Sequence, residues 1–377
     1  MLIHKQLKEQ ALSDLSQKML FVAGPRQVGK TTFSHSLRPQ EEFQYLNWAI
    51  NHDRSKILNQ ELDDTKLIIF DEIHKYRKWR NYLKGVYDAM KTGSLPLREI
   101  LVTGSARLDY YRFGGDSLQG RYHFLRMLPL SLREIGGESR NDLLSLFTYG
   151  GFPEPFLRQS ETETLRWSNE YRSRLIHDDV RDLEQVQDIG SLELLAGRLP
   201  RQVGSLLSIN ALREELQVSH RTVDKWIKVL ERLYALFRLA PLGGSRLRAL
   251  KKSQKHYYYD WTAVRDEGAR FENLVAVHLL KHACWQLDTG GREMELRYFR
   301  DVDGREVDFV VTESGEPCLL VECKLGDQEI GQPLRYLKLK YPKARAFQVH
   351  LRGQKDYLTL EGIRHCPADV LLKELSA

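Results

Sequence analysis

Met19-Leu-Phe-Val-Ala23 runs directly into Gly24-Pro25-Arg26-Gln27-Val28-Gly29-Lys30-Thr31-Thr32, and this stretch decides the fold of the first third of the chain. Five uncharged residues suit a short buried strand. The first eight of the nine that follow satisfy the pattern G-x-x-x-x-G-K-[ST]. Such a loop needs glycine because backbone N–H groups must close around phosphate oxygens with no Cβ in the way. Lys30 is then placed to reach the β and γ oxygens of a nucleotide, and the Thr31 hydroxyl to ligate magnesium. The residues after Gly29 open a helix whose N-terminal dipole faces the anion. Gly24 to Thr32 are therefore the candidate nucleotide-binding residues, with ATP and Mg2+ the expected ligands.

Two further strands are expected to end at the same edge. Leu67-Ile-Ile-Phe70 is an apolar run closed by Asp71-Glu72, the pattern of a central strand that stops in a pair of carboxylates. Asp71 is placed to hold magnesium through its water shell, and Glu72 to polarise a water against the γ-phosphate. Glu99-Ile-Leu-Val-Thr103 runs into Gly104-Ser105-Ala106-Arg107; either Thr103 or Ser105 senses the γ-phosphate, or the hydroxyl caps the next helix. Phe43 to Leu46 and Tyr122 to Leu125 bring the count to five strands separated by helical stretches. That alternation predicts an α/β domain with a parallel sheet and a nucleotide across the strands' carboxyl ends.

The chain of 377 residues exceeds what one core supports, about 250–300 residues, so two or three domains are expected. A hydrophobic share of 42%, a charged share of 29% and a mean hydropathy of −0.47 exclude collagen-like and wholly disordered classes. No apolar run reaches the ~18 residues of a membrane span. The opening MLIHKQLKEQALSDL sets charges where a signal peptide needs apolar residues. A cytoplasmic protein without membrane contact is expected. The cysteines Cys284, Cys318, Cys323 and Cys366 lack C-x-x-C spacing and support neither a disulfide framework nor a zinc site.

The net charge of +6 is unevenly spread. Residues 151–200 carry 6 Lys and Arg against 10 Asp and Glu, whereas residues 201–255 carry 12 against 4. The second imbalance is a field that attracts a polyanion.

The motifs above, with Leu118-Gln-Gly120-Arg121, Leu128-Pro-Leu-Ser131 and Gly150-Gly-Phe-Pro-Glu154, resemble those of prokaryotic AAA+ ATPases that carry an uncharacterised C-terminal region. The resemblance covers nearly the whole chain. It implies a P-loop NTPase fold, ATP hydrolysis and, by analogy, a homo-oligomeric ring. Under the resemblance Arg121 is a candidate for the arginine that stabilises γ-phosphate charge, against the alternative of a solvated arginine in a turn.

Between Gly136 and Pro200 the chain is charged and helical in period, with Trp167, Tyr171, Leu175 and Ile176 on one face, and it reads as a lid or connector. The acidic run Asp178, Asp179, Asp182 and Glu184 reads as a solvated face. Ile209 to Leu216 predicts a short helix, Gln217-Val218 a turn, and Ser219 the N-cap of a second helix to Tyr234. On that helix Val223, Trp226, Ile227, Leu230 and Leu233 form an apolar stripe, with Arg221, Lys225 and Lys228 opposite. This predicts a winged helix-turn-helix. With Arg246, Arg248, Lys251, Lys252 and Lys255 it offers a basic face to nucleic acid, DNA being the expected partner, or else a packing module with solubilising charges.

Towards the C-terminus an amphipathic helix beginning at Gly268 carries Glu272. Strands follow at Leu296–Arg300, at Glu306-Val-Asp308-Phe-Val-Val311 and at Leu319-Leu-Val-Glu322-Cys-Lys324. Glu322 and Lys324 share a strand face and Asp308 lies on the neighbouring strand of a hairpin, so two carboxylates and a lysine converge. Such a set binds magnesium and positions a water for attack on a phosphodiester. D followed by E-x-K resembles the PD-(D/E)xK nuclease fold, with Glu272 matching its accessory carboxylate. The namesake proline is absent, since Arg305-Glu306-Val307 precedes Asp308. A metal-free DNA-binding platform and a structural hairpin remain alternatives.

The expected organisation is an ATPase domain over 1–135, a lid or connector over 136–200, a winged helix-turn-helix over 201–250 and a mixed α/β nuclease-like domain over 251–377. The leading expectation is a magnesium-dependent ATPase that drives a DNA-binding and metal-dependent cleaving C-terminal half. The alternatives are an ATP-controlled regulatory or scaffold protein with an inert nuclease fold, and a transcription factor with an ATP-responsive switch.

Overall fold

The structure is a computed structural model and describes residues 5–105, 118–137, 139–179, 188–243 and 254–375. The chain divides into two compact units, Met1–Leu128 and Pro129–Ala377.

The first unit is built on β1 (Met19–Ala23), β2 (Phe43–Asn47), β3 (Leu67–Asp71), β4 (Glu99–Gly104) and β5 (Tyr122–Arg126), all parallel in the order β2-β3-β4-β1-β5. Every residue of β1 and β3 is buried, as continuous apolar runs in the middle of a parallel sheet must be when helices cover both faces. Those helices are α1 (Lys5–Leu15), α2 (Lys30–Ser36), α3 (Asn51–Asn59) and α4 (Trp79–Lys91). Leu7, Ala11 and Leu15 of α1, and Trp79, Leu83, Val86 and Met90 of α4, fall at helical spacing and are the residues each helix buries. One core unites Phe21, Ile68, Phe70, Ile100 and Val102 with the α4 stripe.

The second unit begins with helices Arg140–Tyr149, Pro153–Arg158 and Glu161–Arg174. Phe152, Trp167 and Tyr171 pack ring to ring at 4.8–5.1 Å between centroids, so the expected aromatic face is a buried seam. Helices Ile209–Leu216 and His220–Arg232 follow, then the antiparallel pair β6 (Leu236–Leu239) and β7 (Lys255–Tyr258). Ser219 caps the second helix by accepting from Thr222 N–H at 3.0 Å, and Val223, Trp226, Ile227 and Leu230 are its buried stripe. The helix Glu267–Gly290 then leads into β8 (Met294–Arg300), β9 (Glu306–Glu313), β10 (Glu316–Lys324), β11 (Arg345–His350), β12 (Tyr357–Leu358) and β13 (Ile363–Pro367), with helix Gln332–Lys340 between β10 and β11. Their sheet runs β12-β13-β11-β10-β9-β8. It is antiparallel from β8 to β10 and parallel from β10 through β11 to β13. Among the described residues no helix is long and apolar enough to cross a membrane.

A Cβ on Gly24 would stand 1.9 Å from the carbonyl oxygen of Met127. Gly85, exposed in the middle of α4, would meet nothing within 4 Å. Opposite signs are expected in denaturant titration. Gly24→Ala should lower stability by about 1–3 kcal/mol through overpacking against backbone, and Gly85→Ala should raise it by about 0.5–1 kcal/mol through helix propensity.

Candidate functional site

The carboxyl edge of the first sheet gathers the expected nucleotide residues. Gly29 takes a left-handed φ of 102° and turns the chain into α2. The buried Lys30 ammonium donates to the carbonyl oxygens of Gly24 (2.9 Å) and Pro25 (2.6 Å), folding into its own loop. Asp71 ends β3 between hydroxyls from both neighbouring strands. Thr103 Oγ1 on β4 donates to its Oδ1 at 2.6 Å, and the Tyr45 hydroxyl on β2 to its Oδ2 at 2.5 Å. Burial first, then the hydrogen bond and charge of Asp71, push the Tyr45 phenol above its ordinary range, so it remains a donor; Thr31 also hydrogen-bonds this phenol.

Glu72 sits one residue on in a left-handed conformation, φ 55°. Ser105 N–H donates to its Oε1 at 3.0 Å and Ser105 Oγ–H to its Oε2 at 3.3 Å. Its Oε2 also lies 3.6 Å from both His74 Nε2 and Lys75 Nζ. Burial alone would raise the Glu72 carboxyl, but His74, Lys75, Lys30 and Ser105 outweigh it and hold it below the ordinary value. Burial keeps the His74 imidazole below its own ordinary value. Thr103 and Ser105 thus hold different carboxylates: the first Asp71, the second Glu72.

Arg121 does not reach this edge within its own chain. It precedes β5, whose Tyr122 pairs with Met19 at the start of β1, and its carbonyl accepts from Met19 N–H at 3.1 Å. That places it at the amino end of the sheet, about 16 Å along the strand from the loop, with its guanidinium on Asp88 at 2.9 and 3.2 Å.

In the second unit, Glu272, Asp308, Glu322 and Lys324 do come together. Asp308 Oδ2 accepts from Cys323 N–H at 2.8 Å, Glu322 Oε2 from Asp308 N–H at 3.4 Å, and Glu322 Oε1 from Lys324 Nζ at 2.8 Å. Tyr257 donates to Glu272 Oε1 at 2.6 Å. Burial and then the Asp308 charge push Glu272 up to about 8 and Glu322 up to about 7. Burial likewise raises Asp308, against the pull of Lys255 and the Cys323 N–H.

Lys255 was expected in the basic surface patch. Instead it is buried on β7, with its ammonium 2.5 Å from Glu306 and 3.7 Å from Glu272. Burial works against its charge, but Glu272, Asp308 and Glu306 prevail and its affinity for the proton is raised. Arg221, Lys225 and Lys228 are exposed on helix His220–Arg232, with Lys228 donating to Asp224 at 2.6 Å. Arg246, Arg248, Lys251 and Lys252, with Asp182 and Glu184 of the acidic run, lie outside the described residues, as do the side chains of Asp178 and Asp179.

Three participants escaped the sequence reading. Tyr45 stands on the partly buried face of β2 and meets Asp71 only because β2 pairs with β3 in the register Asn47 to Asp71. His74 lies two residues past Glu72, a proximity visible in the sequence but shared by any charged turn. Tyr257 reaches Glu272 across 15 residues and left no local signal.

Residues 16–136 match the family model described as AAA domain. Residues 140–264 match Domain of unknown function (DUF8612), and residues 267–368 match Domain of unknown function (DUF4143). The chain is similar to the uncharacterized protein Rv2008c of Mycobacterium tuberculosis, 23% identical over 368 residues that cover 94% of this chain and 81% of the relative. It is also similar to the uncharacterized protein MJ1544 of Methanocaldococcus jannaschii, 21% identical over 339 residues, 79% of this chain and 73% of the relative. Among solved structures it is similar to the Walker-type ATPase PABY2304 of Pyrococcus abyssi at 13% identity, covering 72% of this chain and 96% of that one, with a TM-score of 0.43. The chain thus carries an AAA-type ATPase domain over residues 16–136, and the parallel sheet and glycine-bracketed loop of the first unit agree with that match.

The three raised carboxyls set a pH dependence. An unperturbed glutamate has a value of 4.5, and between there and about 8 the folded state keeps protons that the unfolded state has lost. Stability from this cluster therefore falls as pH rises across that window. In Asp308→Asn the slope of unfolding free energy against pH should shrink by at least about a third, because one of three titrating groups is gone and its charge no longer lifts the others. Denaturant titrations of both proteins across the window measure it; an unchanged slope would remove the cluster as its origin.

Proposed function

We propose that this chain is a magnesium-dependent ATP hydrolase whose nucleotide state governs a C-terminal part that binds nucleic acid, DNA in the first instance. The observation that carries the reading is the separate tethering of two adjacent carboxylates. Asp71 is fixed by hydroxyls of the strands beside it, and Glu72 by the backbone and hydroxyl of Ser105.

Lys30 leaves the carbonyls of Gly24 and Pro25 and donates to phosphate oxygens, while the loop's N–H groups and the start of α2 take the remaining charge. Thr31 and Asp71 hold the metal. Magnesium held there would neutralise phosphate charge. Glu72, kept ionised by its neighbours, orients a water and accepts its proton. Ser105, on the loop after β4, couples the position of Glu72 to whatever occupies the γ-phosphate position. Arg121 enters only through a second copy of the chain, as it would in a ring, because its own loop is out of reach.

Helices Ile209–Leu216 and His220–Arg232 with the β6–β7 pair fit a winged helix-turn-helix, whose second helix would meet a duplex through Arg221, Lys225 and Lys228; Arg246, Arg248, Lys251 and Lys252 add positive charge further along the sequence. For the Asp308, Glu322 and Lys324 cluster, metal-dependent phosphodiester cleavage is the more demanding reading. A second reading, a nuclease-like platform that binds without cutting, is favoured by one observation: Lys255 and Tyr257 already engage the accessory carboxylate Glu272.

Phosphate release should fall at least about 100-fold in Lys30→Ala and in Glu72→Gln, the latter still binding ATP because Asp71 and the loop are intact. Unchanged turnover in Lys30→Ala would remove the hydrolase reading. Duplex binding measured against salt should weaken in Arg221→Ala, with the slope of log affinity against log salt reduced by about 1. Magnesium- or manganese-dependent cleavage lost in Asp308→Ala would select the nuclease over the platform.

A further inference from the structure

Three strands of the second sheet deliver a cluster that takes no part in either site described above. Asp327 follows β10, His350 closes β11 and His365 lies on β13, and these strands are parallel neighbours. We propose that Asp327, His350 and His365 form a site for one divalent transition ion of the zinc class.

The spacing of the ligand atoms is the first argument. Asp327 Oδ1 stands 3.6 Å from His365 Nε2 and 3.5 Å from His350 Nε2, and one ligand atom from each residue lies within 4.8 Å of the other two. These separations are long for a hydrogen bond. Two ligands at 2.0–2.2 Å from a tetrahedral ion stand about 3.3–3.5 Å apart, close to the 3.6 Å between Asp327 Oδ1 and His365 Nε2.

The second argument is unmet valence. Both imidazoles are fully buried, and His365 Nε2 and His350 Nδ1 are buried without a hydrogen-bond partner. Buried polar atoms are otherwise almost always paired. His350 Nε2 is 2.8 Å from the carbonyl oxygen of Lys355, which takes its proton-bearing nitrogen and leaves Nδ1 as the lone-pair donor. His365 Nδ1 lies 3.3 Å from Gln348 Nε2, whose hydrogens also have the Gln328 carbonyl at 2.7 Å and the Glu329 carbonyl at 3.4 Å. Ligation through Nε2 places the His365 proton on Nδ1 and gives up the hydrogen bond from Gln348 to that nitrogen, while the Gln348 amide keeps both carbonyls. The carboxylate is aimed in turn by Gln354 N–H at 2.8 Å and Lys355 N–H at 3.0 Å.

The third argument is the chain that crosses the cluster. A Cβ on Gly353 would stand 2.3 Å from Asp327 Oδ1 and 2.7 Å from His350 Nδ1, so residue 353 can lie here only as glycine. The Tyr357 ring stacks on His365 at 5.1 Å and shields one side, while the Asp327 side chain keeps 26% of its surface exposed and gives an entry path. Two imidazoles and one carboxylate select zinc, copper or nickel over magnesium, and the open side leaves room for a water as fourth ligand.

The test uses the full chain, stripped with chelator and titrated with zinc chloride by calorimetry. Wild type should take up one ion that tenfold magnesium does not displace. Asp327→Asn, His365→Gln and Gly353→Ala should each lose that ion or bind it at least about 100-fold more weakly, and zinc should raise the melting temperature of wild type but not of Asp327→Asn. If the buried His365→Gln does not fold, Asp327→Asn, altered on the exposed side, decides the matter. No uptake by wild type, or equal stoichiometry and affinity in wild type and Asp327→Asn, would overturn the proposal and leave the cluster as a metal-free packing of two histidines on a carboxylate.

Discussion

Asp71 ends β3, an interior strand of the first sheet, in a carboxylate that two hydroxyls hold from opposite sides, Thr103 from one neighbouring strand and Tyr45 from the other. Everything at the carboxyl edge is positioned relative to that anchor. A carboxylate deep in a parallel sheet is costly unless its oxygens are satisfied, and here the satisfaction comes from the strands themselves. The result is a fixed acceptor that needs no loop to support it. Glu72 is free to differ: it leaves the strand in a left-handed turn, answers to Ser105, His74 and Lys75, and so stands apart chemically from the residue before it.

The second unit manages buried charge in another way. Its three carboxylates are crowded and largely removed from water, so burial raises their proton affinity. The cations that answer them are internal: Lys324 from the same strand as Glu322, and Lys255 from a hairpin earlier in the chain. The cluster thereby carries its own counter-charge within the fold.

What the sequence revealed follows the range of the interactions. The phosphate loop, the carboxylates closing β3 and the stripe of Val223, Trp226 and Ile227 were legible because each is local: a run, a loop or a helical period. Tyr45 was not, because its partner is chosen by strand register. Lys255 was misread as a surface charge because a window count of lysines and arginines is blind to burial. Arg121 was assigned from motif order, which does not say at which end of a strand a residue stands. Asp327, His350 and His365 gave no signal because a whole helix or loop separates each from the next, and only the parallel pairing of β10, β11 and β13 unites them.

Lys255 has a bearing on how the second unit is divided. The two family matches in this part of the chain meet between residues 264 and 267, yet the lysine lies on the earlier side of that seam and its counter-ions Glu272 and Glu306 on the later. Severing the polypeptide there would leave a buried ammonium in one fragment and its two carboxylate partners in the other. The seam between the two matches is therefore not a line of physical weakness: Lys255 and Tyr257 bind across it to Glu272 and Glu306, and the two sides are obliged to change together.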